Sequence, residues 1–303
     1  MIHPFTGAGV AIITPFNEDK SIDYNSLEKL IENQILGEID YLVVLGTTAE
    51  TPALSDEEKK EIVRFVVEKN DGRLKIIVGM GSNNTFGLVQ SIQKANFDGI
   101  DAILSVTPYY NKPTQEGLFQ HFKMVVEASP VPVILYNVPG RTGINMEAET
   151  TLRIAHLSEK VIAIKEASGN LGQFAKIISD APGWFKVISG DDSLTLPSIA
   201  MGSIGVISVI SNALPDKLSQ LTYASLNGNM ALAGQLHLEI AEMLKLIFRE
   251  GNPSGVKALM EMKGMVKNQL RLPLVPVSPT TYTLIETELK KISTSIINPD
   301  RGQ

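Results

Sequence analysis

Lys165 closes the run Val161-Ile162-Ala163-Ile164, and Glu166-Ala167-Ser168 follows it directly. Four small apolar residues read as a parallel strand buried on both faces, and polar, turn-forming residues mark its end. A lysine there stands at the carboxyl end of a strand, where α/β barrels and open α/β sheets place their chemistry. Burial disfavours an ammonium ion and lowers its pKa from the ordinary value of about 10.4. The neutral amine can then attack a carbonyl and form a Schiff base. The alternative is a lysine that only marks the strand's end and reaches into solvent.

Other segments carry polar groups at comparable places. Gly46-Thr47-Thr48-Ala49-Glu50 offers two hydroxyls and successive backbone N–H groups, which suit a small carboxylate. Thr47 and Glu50 also have capping-box spacing, so an ordinary helix cap explains them equally. Tyr109 and Tyr110 lie in a loop, where tyrosines more often pack or form interfaces than catalyse. Tyr136 closes the apolar strand Val133–Asn137, so its hydroxyl needs a polar partner, which a buried lysine could supply. Arg141 sits in the Pro/Gly-defined loop Val138-Pro139-Gly140-Arg141-Thr142-Gly143, a rigid base from which to fork a carboxylate or, alternatively, a plain surface turn. Ser189-Gly190-Asp191-Asp192 could hold a metal, but adjacent carboxylates diverge on extended backbone, and N-capping by Asp191 or Asp192 fits better. The four histidines are scattered, Gly79-Met80-Gly81-Ser82-Asn83 is a weak glycine pattern for a nucleotide, and no Gly-x-Ser-x-Gly elbow occurs. By elimination, metal-independent covalent catalysis on a lysine is the chemistry these residues best support.

Positioning such residues requires strands that converge. Eight apolar, β-rich runs recur: Val10–Thr14, Tyr41–Leu45, Lys75–Val78, Ala102–Val106, Val133–Asn137, Val161–Lys165, Lys186–Ser189 and Gly205–Val209. Helical patterns alternate with them, among them Tyr24–Leu36, Asp56–Glu68, Phe86–Asn96, Glu116–Ala128 and Ala148–His156. Ser55-Asp56-Glu57-Glu58 has capping-box spacing and Thr114 precedes the helix that carries His121. Eight units of similar weight predict a (β/α)8 TIM barrel rather than an open sheet. After Leu214 only helical patterns remain (Asp216–Asn227, Met230–Phe248, Gly255–Lys267 and Thr280–Ile292), which predicts a barrel domain over 1–214 and a C-terminal helical subdomain over 215–303, its tail from Ser293 loosely ordered.

The chain of 303 residues has a net charge of −6 and no cysteine. Acidity argues against nucleic acid and anionic membranes as partners, and the absent thiols exclude disulfides and thiolate metal sites. No secretory signal pattern opens the sequence, and the longest apolar region, Ile199–Leu214, is too short and polar to span a bilayer. The expectation is a soluble, cytoplasmic protein.

Taken in order, Gly46-Thr47-Thr48-Ala49-Glu50, Tyr109-Tyr110-Asn111-Lys112-Pro113, Tyr136 to Gly143, the Lys165 strand, Ser189 to Asp192 and Gly205-Val206-Ile207-Ser208 closely resemble the dihydrodipicolinate synthase family. That family belongs to the pyruvate-dependent Schiff-base aldolases, with N-acetylneuraminate lyase. The resemblance runs collinearly from about Gly7 into the C-terminal helices. It implies condensation of pyruvate with L-aspartate 4-semialdehyde to 4-hydroxy-tetrahydrodipicolinate, the first committed step of diaminopimelate and lysine biosynthesis, with no cofactor beyond the lysine–pyruvate imine. It implies that Lys165 forms the imine and that Tyr136, Thr48 and Tyr110 relay protons, Tyr110 reaching into a neighbouring subunit of a homotetramer built as a dimer of dimers. By the same resemblance Thr47 and Thr48 hold the pyruvate carboxylate, Arg141 binds the aldehyde's carboxylate, and the backbones of Gly190 and Ile207 line the pocket.

Two departures accompany the likeness. Ala49 stands where the family usually has glycine. Around the family's allosteric lysine pocket, Asp56, Lys59 and Gly87 replace two histidines and a glutamate, whereas Thr51, Asn83 and Tyr109 remain candidates for that pocket. The rival within the superfamily is an aldolase for a sugar-derived 2-keto acid, such as N-acetylneuraminate or 2-keto-3-deoxygluconate. Sialate lyases carry serine at the Thr48 position and lack the arginine at Arg141, which favours the synthase. A keto-acid-sensing barrel without catalysis would be expected to lose Lys165 or Tyr136, and a metal-dependent aldolase would need a ligand cluster.

Overall fold

The structure is a computed structural model that describes residues 3–295, with side chains described through residue 292. Eight strands, β1 (Gly7–Ala11), β2 (Tyr41–Val44), β3 (Lys75–Gly79), β4 (Ala102–Val106), β5 (Val133–Asn137), β6 (Val161–Glu166), β7 (Lys186–Ser189) and β8 (Gly205–Ser208), pair in parallel and in sequence order to close a barrel. The strands are apolar almost throughout because both faces are covered. Residues of one face, including Val133, Leu135, Val161 and Ile164, pack outward against helices. Those of the other, including Val43, Ile77, Leu104, Ile134, Tyr136, Ala163, Ile188 and Ile207, fill the interior.

One strand departs from strict alternation. The register between β5 and β6 runs Val133↔Val161 and then Ile134↔Ala163, so Ile162 is an extra residue, a β-bulge. From there Tyr136 pairs with Lys165 and Asn137 with Glu166.

The outer layer comprises α1 (Tyr24–Leu36), α2 (Asp56–Asn70), α3 (Thr85–Lys94), α4 (Gln115–Ala128), the single turn α5 (Pro139–Thr142), α6 (Ala148–Ala155), α7 (Leu171–Asp180), α8 (Thr195–Ala200) and α9 (Pro215–Leu226). Their starts follow the predicted chemistry: Ser55 and Glu58 complete a reciprocal capping box on α2, and Thr114 accepts from the Gly117 N–H on α4. Helix α9 covers β1 and β8, and α10 (Met230–Phe248), α11 (Ser254–Met262) and α12 (Pro279–Ser295) pack beyond it. No helix among the described residues is long and apolar enough to cross a membrane.

Most element ends fall within two residues of the sequence expectation, and three elements, β1, α11 and α12, depart from it by more. Strand β1 runs Gly7–Ala11 rather than Val10–Thr14, because its glycines are strand residues: a Cβ on Gly9 would lie 2.1 Å from the Tyr41 ring, and Gly7, at φ +109°, lies against Asp40. Helix α11 stops at Met262 rather than Lys267, because Gly264 adopts φ +69° and turns the chain. Helix α12 continues through Ser295, and the rest of the tail expected to be loosely ordered lies outside the described residues.

At the N-terminal end of the barrel a cavity of about 730 Å³ is lined by His3, Asp40, Arg73, Lys75, Asp101 and Tyr223 among others. Its charges are engaged: Lys75 pairs with Asp101 at 3.1 Å, Arg73 with Glu32, and the Tyr223 hydroxyl donates to Asp40 at 2.5 Å. This is the end of a barrel that carries stability rather than chemistry.

Candidate active site

The opposite, C-terminal end gathers the residues singled out by sequence. Lys165 is only 5% exposed, and its Nζ lies over the Tyr136 ring, 4.5 Å from the centroid. The lysine thus enters the barrel interior instead of reaching solvent, and its contact with Tyr136 is with the ring face. Gly190, just past β7, forms the other wall: a Cβ there would stand 3.1 Å from both Cγ and Cε of Lys165 and 2.7 Å from the Ala167 Cβ. Ile207 on β8 belongs to the same interior layer as Tyr136.

The two strand tips that carry Tyr136 and Lys165 are tied together on their outer face. Glu166 is fully buried and pairs with no cation among the described residues, and its carboxylate accepts from Asn137 Nδ2 at 3.1 Å to each oxygen, Gln173 Nε2 at 2.9 Å and the Ser168 N–H at 2.7 Å. Burial raises its pKa against those hydrogen bonds. Asn137 also holds Asn145 and the Met146 N–H, which fixes the loop after β5.

After β2 the chain makes a 3₁₀ turn over Thr47–Ala49 between two residues in the left-handed region, Leu45 at φ +56° and Glu50 at φ +55°. Neither is glycine, so the turn carries strain that its surroundings must hold. Ala49 itself is outside the left-handed region, and its carbonyl accepts from Thr14 Oγ1 at 2.8 Å. Thr48 is buried and accepts from Asn252 Nδ2 at 2.9 Å, whereas Thr47 is half-buried. The capping-box alternative for Thr47 and Glu50 does not form. The turn has no side-chain cap, and the buried Glu50 carboxylate accepts instead from Lys257 Nζ at 2.5 Å and the Arg271 N–H at 2.9 Å.

Asp191 caps the turn after β7 through the Ser193 N–H, as expected, and Asp192 accepts from the Val209 and Ile210 N–H groups past β8. Arg141 is exposed on α5, with Nη2 3.5 Å from the Asn252 carbonyl. Tyr110 is 85% exposed, held at φ +73°, and its hydroxyl makes no hydrogen bond among the described residues. Within this chain it is therefore not joined to the cluster around Lys165.

Of the allosteric candidates, Asn83 Nδ2 donates to the Tyr109 carbonyl at 3.3 Å, while the Thr51 hydroxyl closes its own loop on the Gly46 carbonyl at 2.9 Å. Among the described residues no three His, Asp or Glu side chains gather closely enough to hold a metal ion. Sequence reasoning missed Asn252, Lys257 and Arg271, all from the C-terminal segment that packs on the β2 loop. The available signal was Lys257 itself, a lone charge in the apolar stretch Gly255-Val256-Lys257-Ala258-Leu259-Met260.

Comparison with known proteins agrees with this geometry. Residues 4–292 match the model of the dihydrodipicolinate synthetase family. The 4-hydroxy-tetrahydrodipicolinate synthase of Parabacteroides distasonis is 52% identical over 287 residues, covering 95% of this chain and 97% of that protein. The synthase of Phocaeicola vulgatus is 50% identical over 286 residues, covering 94% and 96%. Among solved structures, dihydrodipicolinate synthase from Thermotoga maritima superposes with a TM-score of 0.93 at 40% identity, covering 96% of this chain and 99% of that one.

Proposed function

The chain belongs to the dihydrodipicolinate synthetase family, and we propose that it condenses pyruvate with L-aspartate 4-semialdehyde through an imine on Lys165. It is a lyase of the 4-hydroxy-tetrahydrodipicolinate synthase type, acting at the entry to diaminopimelate and lysine biosynthesis. The observation that carries the reading is the buried Lys165 amine inside the barrel mouth, between the Tyr136 ring and Gly190.

The chemistry follows from that placement. The Lys165 amine adds to C2 of pyruvate, and loss of water leaves an imine. The imine acidifies the methyl group, whose proton departs to give an enamine. Its carbon attacks the aldehyde of the second substrate, and the aldehyde oxygen is protonated to a hydroxyl. The amino group of the adduct then adds to the imine carbon, closes the ring and releases Lys165. Holding both partners in one cavity supplies the orientation that makes the carbon–carbon bond fast.

The other residues take roles consistent with their positions. Thr47 and Thr48 receive the pyruvate carboxylate at the strained turn, and Tyr136 and Thr48 pass protons. Arg141, exposed at the mouth, binds the carboxylate of the aldehyde substrate, and the backbones of Gly190 and Ile207 line the pocket. The bulky, exposed Tyr110 in a left-handed conformation is a costly arrangement for a residue whose hydroxyl has no partner among the described residues. It supports a role in completing the site of a second copy, within a dimer of dimers.

Incubation with pyruvate and borohydride tests the imine. One reduced pyruvate should be added per chain, and peptide mapping should place it on Lys165. Labelling of a different lysine in active protein, or no labelling at all, would overturn the mechanism.

A further inference from the structure

The Thr47–Thr48 turn is strained at both ends, and the strongest restraint on it comes from far away in sequence. Glu50 follows the turn directly, and its side chain is buried against Lys257 of α11, also fully buried, with Nζ–Oε1 at 2.5 Å. Lys257 Nζ makes a second bond to the Gln269 carbonyl at 2.9 Å, and the other Glu50 oxygen takes the Arg271 N–H. The guanidinium of Arg271 binds Glu58 through Nη1 and Nη2, at 2.6 and 2.5 Å, and so joins the same unit to the start of α2. Lys257 Nζ and the Arg271 guanidinium both lie over the Phe16 ring, 4.3 and 4.6 Å from its centroid. Every polar atom of this cluster has a partner and no solvent reaches the central pair, so the cluster is rigid rather than adaptable.

We propose that Lys257 is a positioning residue for the carboxylate-binding turn, setting Thr47 and Thr48 through its ion pair with Glu50. The inference rests on the reading of that turn as the pyruvate-carboxylate site. Glu50 holds the left-handed conformation that ends the turn, and a non-glycine residue stays there only when its surroundings over-determine it. Removing the Lys257 ammonium leaves the Glu50 carboxylate buried and without its cation, so it must either draw in water or leave. Either response releases the Glu50 backbone and lets the two threonines drift. The Lys165 strand is braced separately by Glu166, Asn137 and Gln173, and is untouched by this change. Lys257 therefore governs capture of the first substrate while Arg141, on its own turn, continues to meet the second.

The test compares wild type with Lys257→Met, Glu50→Gln and the double variant Glu50→Gln/Lys257→Met. Steady-state rates are measured with pyruvate varied and then with the aldehyde varied, alongside borohydride trapping across pyruvate concentrations. Lys257→Met should raise the pyruvate KM and the pyruvate concentration for half-maximal trapping, on the order of 10- to 100-fold. The aldehyde KM should stay within about twofold. The double variant should recover most of the loss, because the carboxylate left behind becomes a neutral amide that still accepts from the Arg271 N–H. If Lys257→Met does not fold, Glu50→Gln carries the test and should show the same one-sided shift to a smaller degree. Equal shifts in both KM values, wild-type pyruvate response in a folded variant, or no recovery in the double variant would overturn the proposal. Failure of wild type to be trapped at Lys165 would instead reject the underlying reading.

Discussion

Gly190→Ala probes the packing around the reactive amine with a single methyl group. The added Cβ would lie 2.7 Å from the Ala167 Cβ and 3.1 Å from Lys165 Cγ and Cε, where ordinary carbon contacts begin near 3.4 Å. Glycine at 190 is not in the left-handed region, so alanine brings no backbone penalty, and the effect is steric alone. Ala167 has no side-chain freedom with which to retreat, and relief falls on the lysine, which can rotate away only by leaving the Tyr136 ring. Overpacking of this kind costs about 1–3 kcal/mol of stability. Its catalytic effect is larger, because a displacement of about 1 Å at the reacting nitrogen can lower the rate about 100-fold. The assay is kcat/KM for both substrates, with borohydride trapping and thermal unfolding on the same preparation. The expected result is a folded protein with slowed imine formation and kcat/KM reduced by about two orders of magnitude. A variant with wild-type trapping and turnover would refute the claim that Gly190 sets the position of Lys165.

Arg141→Ala should weaken use of the aldehyde substrate, with its kcat/KM reduced on the order of 10- to 100-fold while pyruvate trapping is unchanged; loss of trapping would reverse the assignment. Free lysine should not inhibit at concentrations well below millimolar, because Lys59 is spent on Asp56 at 3.0 Å and Gly87 offers no carboxylate. Half-inhibition well below a millimolar, an interaction stronger than about −4 kcal/mol, would show otherwise. His121 is buried, with Nδ1 2.9 Å from Thr85 Oγ1, and burial lowers its pKa from 6.5 to about 4. Between those values the unfolded chain binds the proton first, so stability is full above pH 6.5 and about 3 kcal/mol is lost as the pH falls to 4. Urea unfolding at pH 7 and pH 4 should therefore show the stability of wild type falling towards that of His121→Asn, and a pH-independent difference would refute it.

Lys165 and Tyr136 were legible in sequence because parallel strands buried on both faces leave unbroken apolar runs, and a polar residue ending such a run stands out, whereas Gly190 entered only through the family resemblance. The barrel was legible for the same reason, except where glycines do the work of strand residues, as in β1. The restraint on the threonine turn was not legible. Glu50 and Lys257 are 207 positions apart, and neither lies in a local pattern that names the other. Glu50 had a plausible local partner in Thr47, and only the folded chain reveals that its carboxylate turns away. Tyr110 differs again: its loop was recognised, yet its hydroxyl has no hydrogen-bond partner among the described residues.

The extra residue Ile162 works as a frameshift in the reading of β6. Val161 faces the helices, and strict alternation from it would send Ala163 and Lys165 the same way. With Ile162 and Ala163 both against the interior layer, the phase inverts, and the tip of the strand turns its amine inward and the Glu166 carboxylate outward. Paired in strict alternation from Val161, with no bulge, the same six residues would put the acid in the barrel and leave the nucleophile beneath a helix. The identity of the group that meets substrate is thus decided about one turn of pleat upstream, at a residue that touches none of the chemistry.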